Sequence, residues 1–271
     1  MIFRPSDNIT TWVLTPWIYR TLLKSFLVRD IKGRFSGSVV GIGWSVLTPL
    51  ANMLIYIFIF SVVLKIRIGI EDTGTDQFVV FLLSGLLPWL AFSEAVNRSP
   101  SLLLENANLI TKVSFPVAVL PYAGGLSPFL LNGIGLVLFL GFLIFLGYFH
   151  LSWIWLPVIV TLHFLFTLGL VALLSAVSVF FRDMGQIVAL IVSLWFYLTP
   201  ILYPVSMIPE AYRSWIMLNP AWPFIDLYRQ ALLLHDVSIL SVCISAFIGI
   251  GVFALGGWFF MRSRSAFGDV L

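Results

Sequence analysis

Few side chains in this 271-residue sequence have the type and spacing for covalent chemistry. The three histidines, His150, His163 and His235, and the one cysteine, Cys243, are scattered rather than clustered. No H-E-x-x-H or paired-cysteine spacing offers a metal site, and no G-x-x-x-x-G-K-S/T loop offers a cradle for nucleotide phosphates. Cys243 has no second cysteine to pair with. Asp226 and His235 share one segment, but without a nucleophile–base spacing. No catalytic residue, metal or nucleic-acid partner is therefore expected. His163 lies in the middle of a long apolar run. An ionisable group there is a functional candidate, and the plainer reading is a neutral imidazole bonded to a neighbouring helix. His150 and His235, at the ends of apolar runs, read as interfacial residues. Aromatics are plentiful: 25 Phe, 10 Trp and 8 Tyr. Tyr56 and Phe60 are one helical turn apart, on one face with Asn52, and Trp195, Phe196 and Tyr197 form a run. Aromatic faces stack on the C–H faces of sugars without fixed hydrogen-bond geometry, a tolerance that a sliding polymer needs. Plain helix contact is the alternative.

The elements that would carry these residues are membrane helices. The chain is 60% hydrophobic and 10% charged, with a mean hydropathy of +1.05, whereas soluble domains carry about 25% charged residues. A helix needs roughly 20 apolar residues to cross the hydrocarbon core. Charge-free runs at 36–64 and 77–93, the latter extended to about 97, give spans 1 and 2. Residues 113–181 hold no Asp, Glu, Lys or Arg and divide at the polar break 148–152, giving spans 3 and 4 near 118–147 and 153–179. Spans 5 and 6 follow at 184–203 and 237–261. The stretch 204–236 is apolar but broken by Pro204, Pro209, Pro220 and Pro223. It predicts two short helices, 210–218 and 221–234, that dip into the membrane without crossing, as is tolerated where protein or a water-filled cavity covers them. No Asp, Glu, Lys or Arg is expected deep in the spans, which argues against an ion-coupled pump.

Lys and Arg set the orientation. Eleven of the fifteen, Arg4, Arg20, Lys24, Arg29, Lys32, Arg34, Arg98, Lys112, Arg182, Arg262 and Arg264, fall on one side, and Lys65, Arg67, Arg213 and Arg229 on the other. The basic side is cytoplasmic, with both termini inside. Residues 1–15 lack the apolar region of a cleavable signal peptide. The organisation is a cytoplasmic segment 1–35, a six-span domain 36–261 with a cytoplasmic loop at 94–116 and the outer re-entrant segment 204–236, and a tail 262–271.

Two helices are expected on the cytoplasmic face. Thr15-Pro16 reads as a capping hydroxyl followed by proline at the first helical position. The following residues are amphipathic, with Ile18, Tyr19, Leu22, Leu23 and Phe26 on one face and Arg20, Thr21, Lys24 and Ser25 on the other. Such a helix lies in the interface plane, as an anchor or as a docking surface too. Ser99-Pro100 repeats the signal and predicts a helix over 100–110, ending near Lys112. It is either a solvated hairpin or a lever between a soluble partner and the spans.

The order of motifs resembles a known family. Arg29-Asp30-Ile31-Lys32-Gly33-Arg34-Phe35, Ser38-Val39-Val40-Gly41-Ile42-Gly43-Trp44 and Pro49-Leu50 resemble the approach to span 1 in membrane subunits of ABC exporters for bacterial surface polysaccharides. Asn108-Leu109-Ile110-Thr111-Lys112-Val113-Ser114-Phe115-Pro116 resembles its stretch before span 3, and Phe181-Arg182-Asp183 its turn after span 4. Thr199-Pro200-Ile201-Leu202-Tyr203, Ile208-Pro209, Asn219-Pro220 and Asp226-Leu227-Tyr228-Arg229 resemble its outer region. O-antigen permeases match this pattern best, with capsule and teichoic-acid permeases as near relatives.

The resemblance implies a homodimer in the bacterial inner membrane, paired with two ATPase subunits that bind ATP and Mg. It implies a polysaccharide substrate on a polyprenyl pyrophosphate lipid, and a role in lipopolysaccharide biosynthesis. Contact with the ATPase is expected through Arg20 and Lys24 of the interface helix and through Pro100, Leu104, Glu105, Asn106, Asn108 and Lys112. The outer cap would use Tyr203, Trp215, Asn219, Trp222 and Arg229. The lipid pyrophosphate would meet Arg29, Lys32 or Arg34, since cations at the interface suit a phosphate. Tyr56, Phe60, Trp195, Phe196 and Tyr197 would line the sugar path. An exporter of small lipophiles, or a membrane enzyme acting on lipid-linked sugars, are the rival readings.

Overall fold

A computed structural model describes residues 9–271, so Arg4 and the start of the N-terminal segment lie outside the described residues. Among these the chain is helical, with no β-strand beyond one isolated bridge between Arg67 and Gln77. Five helices are long and apolar enough to cross a membrane: α3 (Gly41–Val63), α5 (Phe78–Arg98), α8 (Val119–Phe145), α9 (Leu151–Phe180) and α13 (Ile239–Val270). The expected span 5 is shorter. Helix α10 (Met184–Leu198) has 15 residues, about 22 Å at 1.5 Å per residue, against a hydrocarbon core of roughly 30 Å. It stops five residues before the predicted end because Thr199 precedes Pro200, which disfavours helical backbone. Thr199 is extended (ψ 130°), and its hydroxyl bonds the Trp195 carbonyl at 2.8 Å.

The two proline signals act differently from the sequence expectation. Helix α1 (Ile9–Ile18) contains Pro16 in its last turns instead of starting at it. Thr15 donates its hydroxyl backward to the Thr11 carbonyl at 2.8 Å and caps nothing. Proline cannot bond the carbonyl four residues back, and that carbonyl, of Trp12, accepts the Tyr122 hydroxyl at 2.9 Å. The chain turns at Tyr19 into α2 (Arg20–Arg34). The single helix expected over 100–110 is likewise two, α6 (Ser101–Glu105) and α7 (Ala107–Lys112). Asn106 interrupts them, its amide taking the Leu102 carbonyl at 2.9 Å in competition with the backbone. Ser99 bonds back to Val96 rather than capping α6.

Two further short helices, α11 (Glu210–Met217) and α12 (Trp222–Arg229), occupy the proline-broken segment, α12 continuing as a π turn over Gln230–Leu234. Helix α4 (Ile70–Thr73) lies in the first loop opposite α2. Helix α13 runs on through residues 262–270 to Val270, and Phe267 is buried against Phe260 at a ring separation of 5.4 Å.

Helix α5 is the central pillar, with 83% of its apolar window buried, whereas α3 has 6% buried and keeps one broad face bare. Helices α9 and α13 form the tightest crossing. A Cβ on Gly256 would collide with the Gly169 carbonyl, and one on Gly169 with the Val252 carbonyl. Small residues permit such backbone approach where lipid supplies no hydrophobic drive between helices.

Candidate functional site

At the α2 end, a charged cluster joins three helices. Arg98, the last residue of α5, donates Nη1 and Nη2 to Asp30 of α2 at 3.0 and 2.7 Å. Ser127 of α8 donates to the same carboxylate at 2.5 Å. Arg34 of α2 bonds Glu94 of α5, and its Nε lies 3.6 Å from Asp30. Asn132 of α8 donates to Glu94 at 2.8 Å. Burial pushes the Asp30 carboxyl up, but the bonds from Arg98 and Ser127 and the charges of Arg98 and Arg34 outweigh it and hold Asp30 below the usual carboxylate range. Sequence alone gives Arg98 a topological role and sets Glu94 where span 2 meets the cytoplasmic loop. Its available signal was a carboxylate and an arginine one turn apart on a single helix.

This cluster sorts the three phosphate candidates. Arg34 is committed to Glu94 and Asp30. Arg29 is exposed, lies 4.2 Å over the Phe26 ring and donates to the Asn106 side chain at 3.2 Å. Lys32 is exposed and makes no ion pair among the described residues. A cavity of about 550 Å³ opens here between α2, α6 and α8, lined by Arg29, Asp30, Arg98 and Glu105 among others.

Leu104, Glu105, Asn108 and Lys112 are exposed on α6 and α7, as are Arg20 and Lys24 on α2, while Asn106 is half-buried. Pro100 is buried with Ser99, Leu102 and Leu103. The α6–α7 pair is thus rooted by its buried start, and Asn106 ties it to α2 through Arg29.

The aromatic groups lie in two places. Tyr56 lines a cavity of about 400 Å³ between α3, α5 and α8, with Trp44, Asn52, Arg34 and Glu94. Phe60 stacks 6.4 Å from Tyr56 and meets Phe78 edge-on at 5.0 Å. On α10, Trp195 is half-buried, edge-on to Phe92 at 5.4 Å, and donates its N–H to Asn219 at 2.7 Å. Phe196 is half-buried 5.8 Å from Trp89, and Tyr197 is 62% exposed.

Asn219 is the hub of the far end. Besides Trp195 it bonds the Thr199 hydroxyl at 2.9 Å and the Ala221 N–H at 3.0 Å, so it holds α10 to α12. Tyr203 donates to the Tyr197 carbonyl at 2.8 Å. Trp215 is exposed and Trp222 half-buried. Arg229 is 4% exposed, donates to the Pro200 and Ile201 carbonyls at 2.5 and 3.0 Å, and lies 3.7 Å over Phe81. It pins the turn after α10 to α12. His150 and His235, read as separate interfacial residues, come together at 4.6 Å. Burial first, then His150, hold His235 below the ordinary imidazole value. Asp226 accepts from Gln230 at 2.6 Å and shares no partner with His235. His163 sits among Phe129, Phe224 and Tyr228, and its Nδ1 has no partner among the described residues.

Residues 21–233 match the family model described as ABC-2 type transporter. The chain is 37% identical over 224 residues to the O-antigen export system permease protein RfbA of Myxococcus xanthus, covering 80% of this chain and 82% of the relative. It is 32% identical over 249 residues to the protein of the same name from Klebsiella pneumoniae, covering 90% and 92%. Polysialic acid transport protein KpsM of Escherichia coli is 23% identical over 247 residues, covering 87% and 93%.

Proposed function

The chain belongs to the ABC-2 type transporter family, and we propose that two copies of it form the membrane path of an ATP-driven exporter for an O-antigen-type polysaccharide. It is a permease subunit, a transport component and not an enzyme. In this family ATP is bound by a partner ATPase subunit. The finer reading places the chain in the bacterial inner membrane with six crossings, α10 being the fifth, and with both termini and the α2 end cytoplasmic. The substrate is a glycan on polyprenyl pyrophosphate. Its phosphates meet Arg29 and Lys32 near the cavity between α2, α6 and α8, while Arg34 holds α2 in place. The glycan then passes along α3, beside the cavity that Tyr56 lines and the Phe60 ring next to it, and leaves where α11 and α12 cover the exit.

The observation that carries this reading is the Asp30–Arg98 clamp. It fastens the amphipathic helix to the end of the central pillar, next to the exposed surface of α6 and α7. A motor pressing on that surface therefore moves α2 and α5 together. The unburied face of α3 and the exposed apolar face of α10 support a second copy closing the path. A direct test reconstitutes the chain with its ATPase subunit in proteoliposomes and follows protection of lipid-linked glycan. ATP-dependent transfer is the expected result. Transfer of a small lipophile, with ATPase stimulation by it and none by lipid-linked glycan, would establish the drug-exporter reading instead. In the same assay alanine at Tyr56 or Trp195 lowers glycan transfer. Unchanged transfer at equal protein level would remove the aromatic path.

A further inference from the structure

A cavity of about 300 Å³ lies at the far end from α2, walled by α4, α5, α11, α12 and the turn after α10. Phe81 and Arg229 are buried at its base, at 2% and 4% exposure. Trp222 forms a half-buried wall, and Asp226 stands one helical turn along from it. Asp72 and Arg213 are exposed at its rim. The polar groups are only partly satisfied. Arg229 uses both terminal nitrogens on backbone carbonyls, but its Nε is buried with no partner among the described residues. Asp226 accepts from Gln230 through Oδ2 alone, and the Trp222 indole N–H and the Asp72 carboxylate bond nothing described. Arg213 is held at the rim by the Ser206 and Ile208 carbonyls.

We propose that this cavity is a binding subsite for one neutral pyranose unit of the exported glycan. Its four charged groups, two carboxylates and two guanidinium ions, sum to zero, so nothing favours an anion over a neutral ligand. Carboxylates accept from sugar hydroxyls and the indole N–H donates to them, while the Trp222 face takes the flat C–H face of a ring. The volume stands at the lower edge of ligand pockets, roughly 300–1,000 Å³, which suits one sugar ring rather than a polymer segment. Because α11 and α12 supply three of the groups, a sugar bound here contacts the cap directly, and its arrival favours whichever cap position binds it better.

The sugar class rests on the polysaccharide reading above, and the experiment separates the two. The exporter, assembled with its ATPase in nanodiscs, is mixed in turn with the methyl glycosides of glucose, galactose, mannose and rhamnose, and with inorganic phosphate. Saturation transfer reports the glycosides and phosphorus line broadening reports phosphate. The expected result is transfer to at least one glycoside, lost in Trp222→Ala and weakened in Asp72→Asn, whose exposed position leaves folding intact. No transfer to any glycoside, transfer equal in wild type and both variants, or phosphate broadening alone would each overturn the subsite. Glycan export by the wild-type complex is measured in parallel. Export without glycoside binding removes the subsite and leaves the exporter, whereas absence of glycan export removes the exporter reading whatever the glycosides do.

Discussion

Asp30 on the amphipathic helix receives both terminal nitrogens of Arg98, the last residue of the central membrane helix, at 2.7 and 3.0 Å, although the two are 68 positions apart. Breaking this bidentate pair costs about 1.5–3 kcal/mol by the usual worth of hydrogen bonds to charged groups. Asp30→Asn and Arg98→Gln should each lower the melting temperature of the purified chain, and the double variant should lose less than the sum. Additive losses would show that the pair is not coupled.

The same pair sets a pH expectation. The folded Asp30 value lies below that of the unfolded chain, so its contribution is complete above the unfolded value of about 3.9 and is lost as pH falls through the lower folded value. The stability difference between wild type and Asp30→Asn should therefore be flat from neutral pH down to about pH 5. A difference that changes between pH 6 and 8 would assign the effect to another group.

Asn219 holds the start of α12 to α10 through Trp195 and Thr199. Asn219→Ala removes both, at about 1–2 kcal/mol on model-peptide values for interhelical hydrogen bonds. The α11–α12 segment should then be cut faster by protease added at its side of the membrane, with little change in chain abundance. Unchanged cleavage would show that Asn219 does not hold that segment.

The α9–α13 crossing admits no side chain at Gly169 or Gly256. Gly256→Leu should abolish accumulation of the folded chain, while Gly251→Leu, whose Cβ meets nothing within 4 Å, should be tolerated. Equal yields of both, read by size-exclusion profile in detergent, would contradict the crossing.

Leu104 is 40% exposed at the α6–α7 surface. Leu104→Arg should abolish co-purification of the ATPase and export together while leaving the chain's melting temperature unchanged. Retained co-purification would move the coupling contact elsewhere.

The long apolar runs and the prolines made most helices legible, since span length and proline's missing N–H act locally. Where the helices differ, one cause is distant and one is local. Pro16 sits inside a helix because Tyr122, over a hundred positions away, takes the carbonyl it leaves free. Asn106 divides a helix by bonding its own backbone. The charged cluster was the least legible part of the site, because Asp30, Glu94, Arg98 and Ser127 belong to three helices whose registers only tertiary contact aligns. Arg229 was not legible as a buried pin, since its partners are backbone carbonyls that any sequence carries.

The most direct measurement of the central claim deletes this chain from cells that make the surface polysaccharide and follows the glycan. The account predicts loss of surface polymer, accumulation of lipid-linked polymer inside, and restoration by the wild-type chain but not by Leu104→Arg. Undiminished surface polymer, or its loss without accumulation of the lipid-linked form, would contradict a role in export.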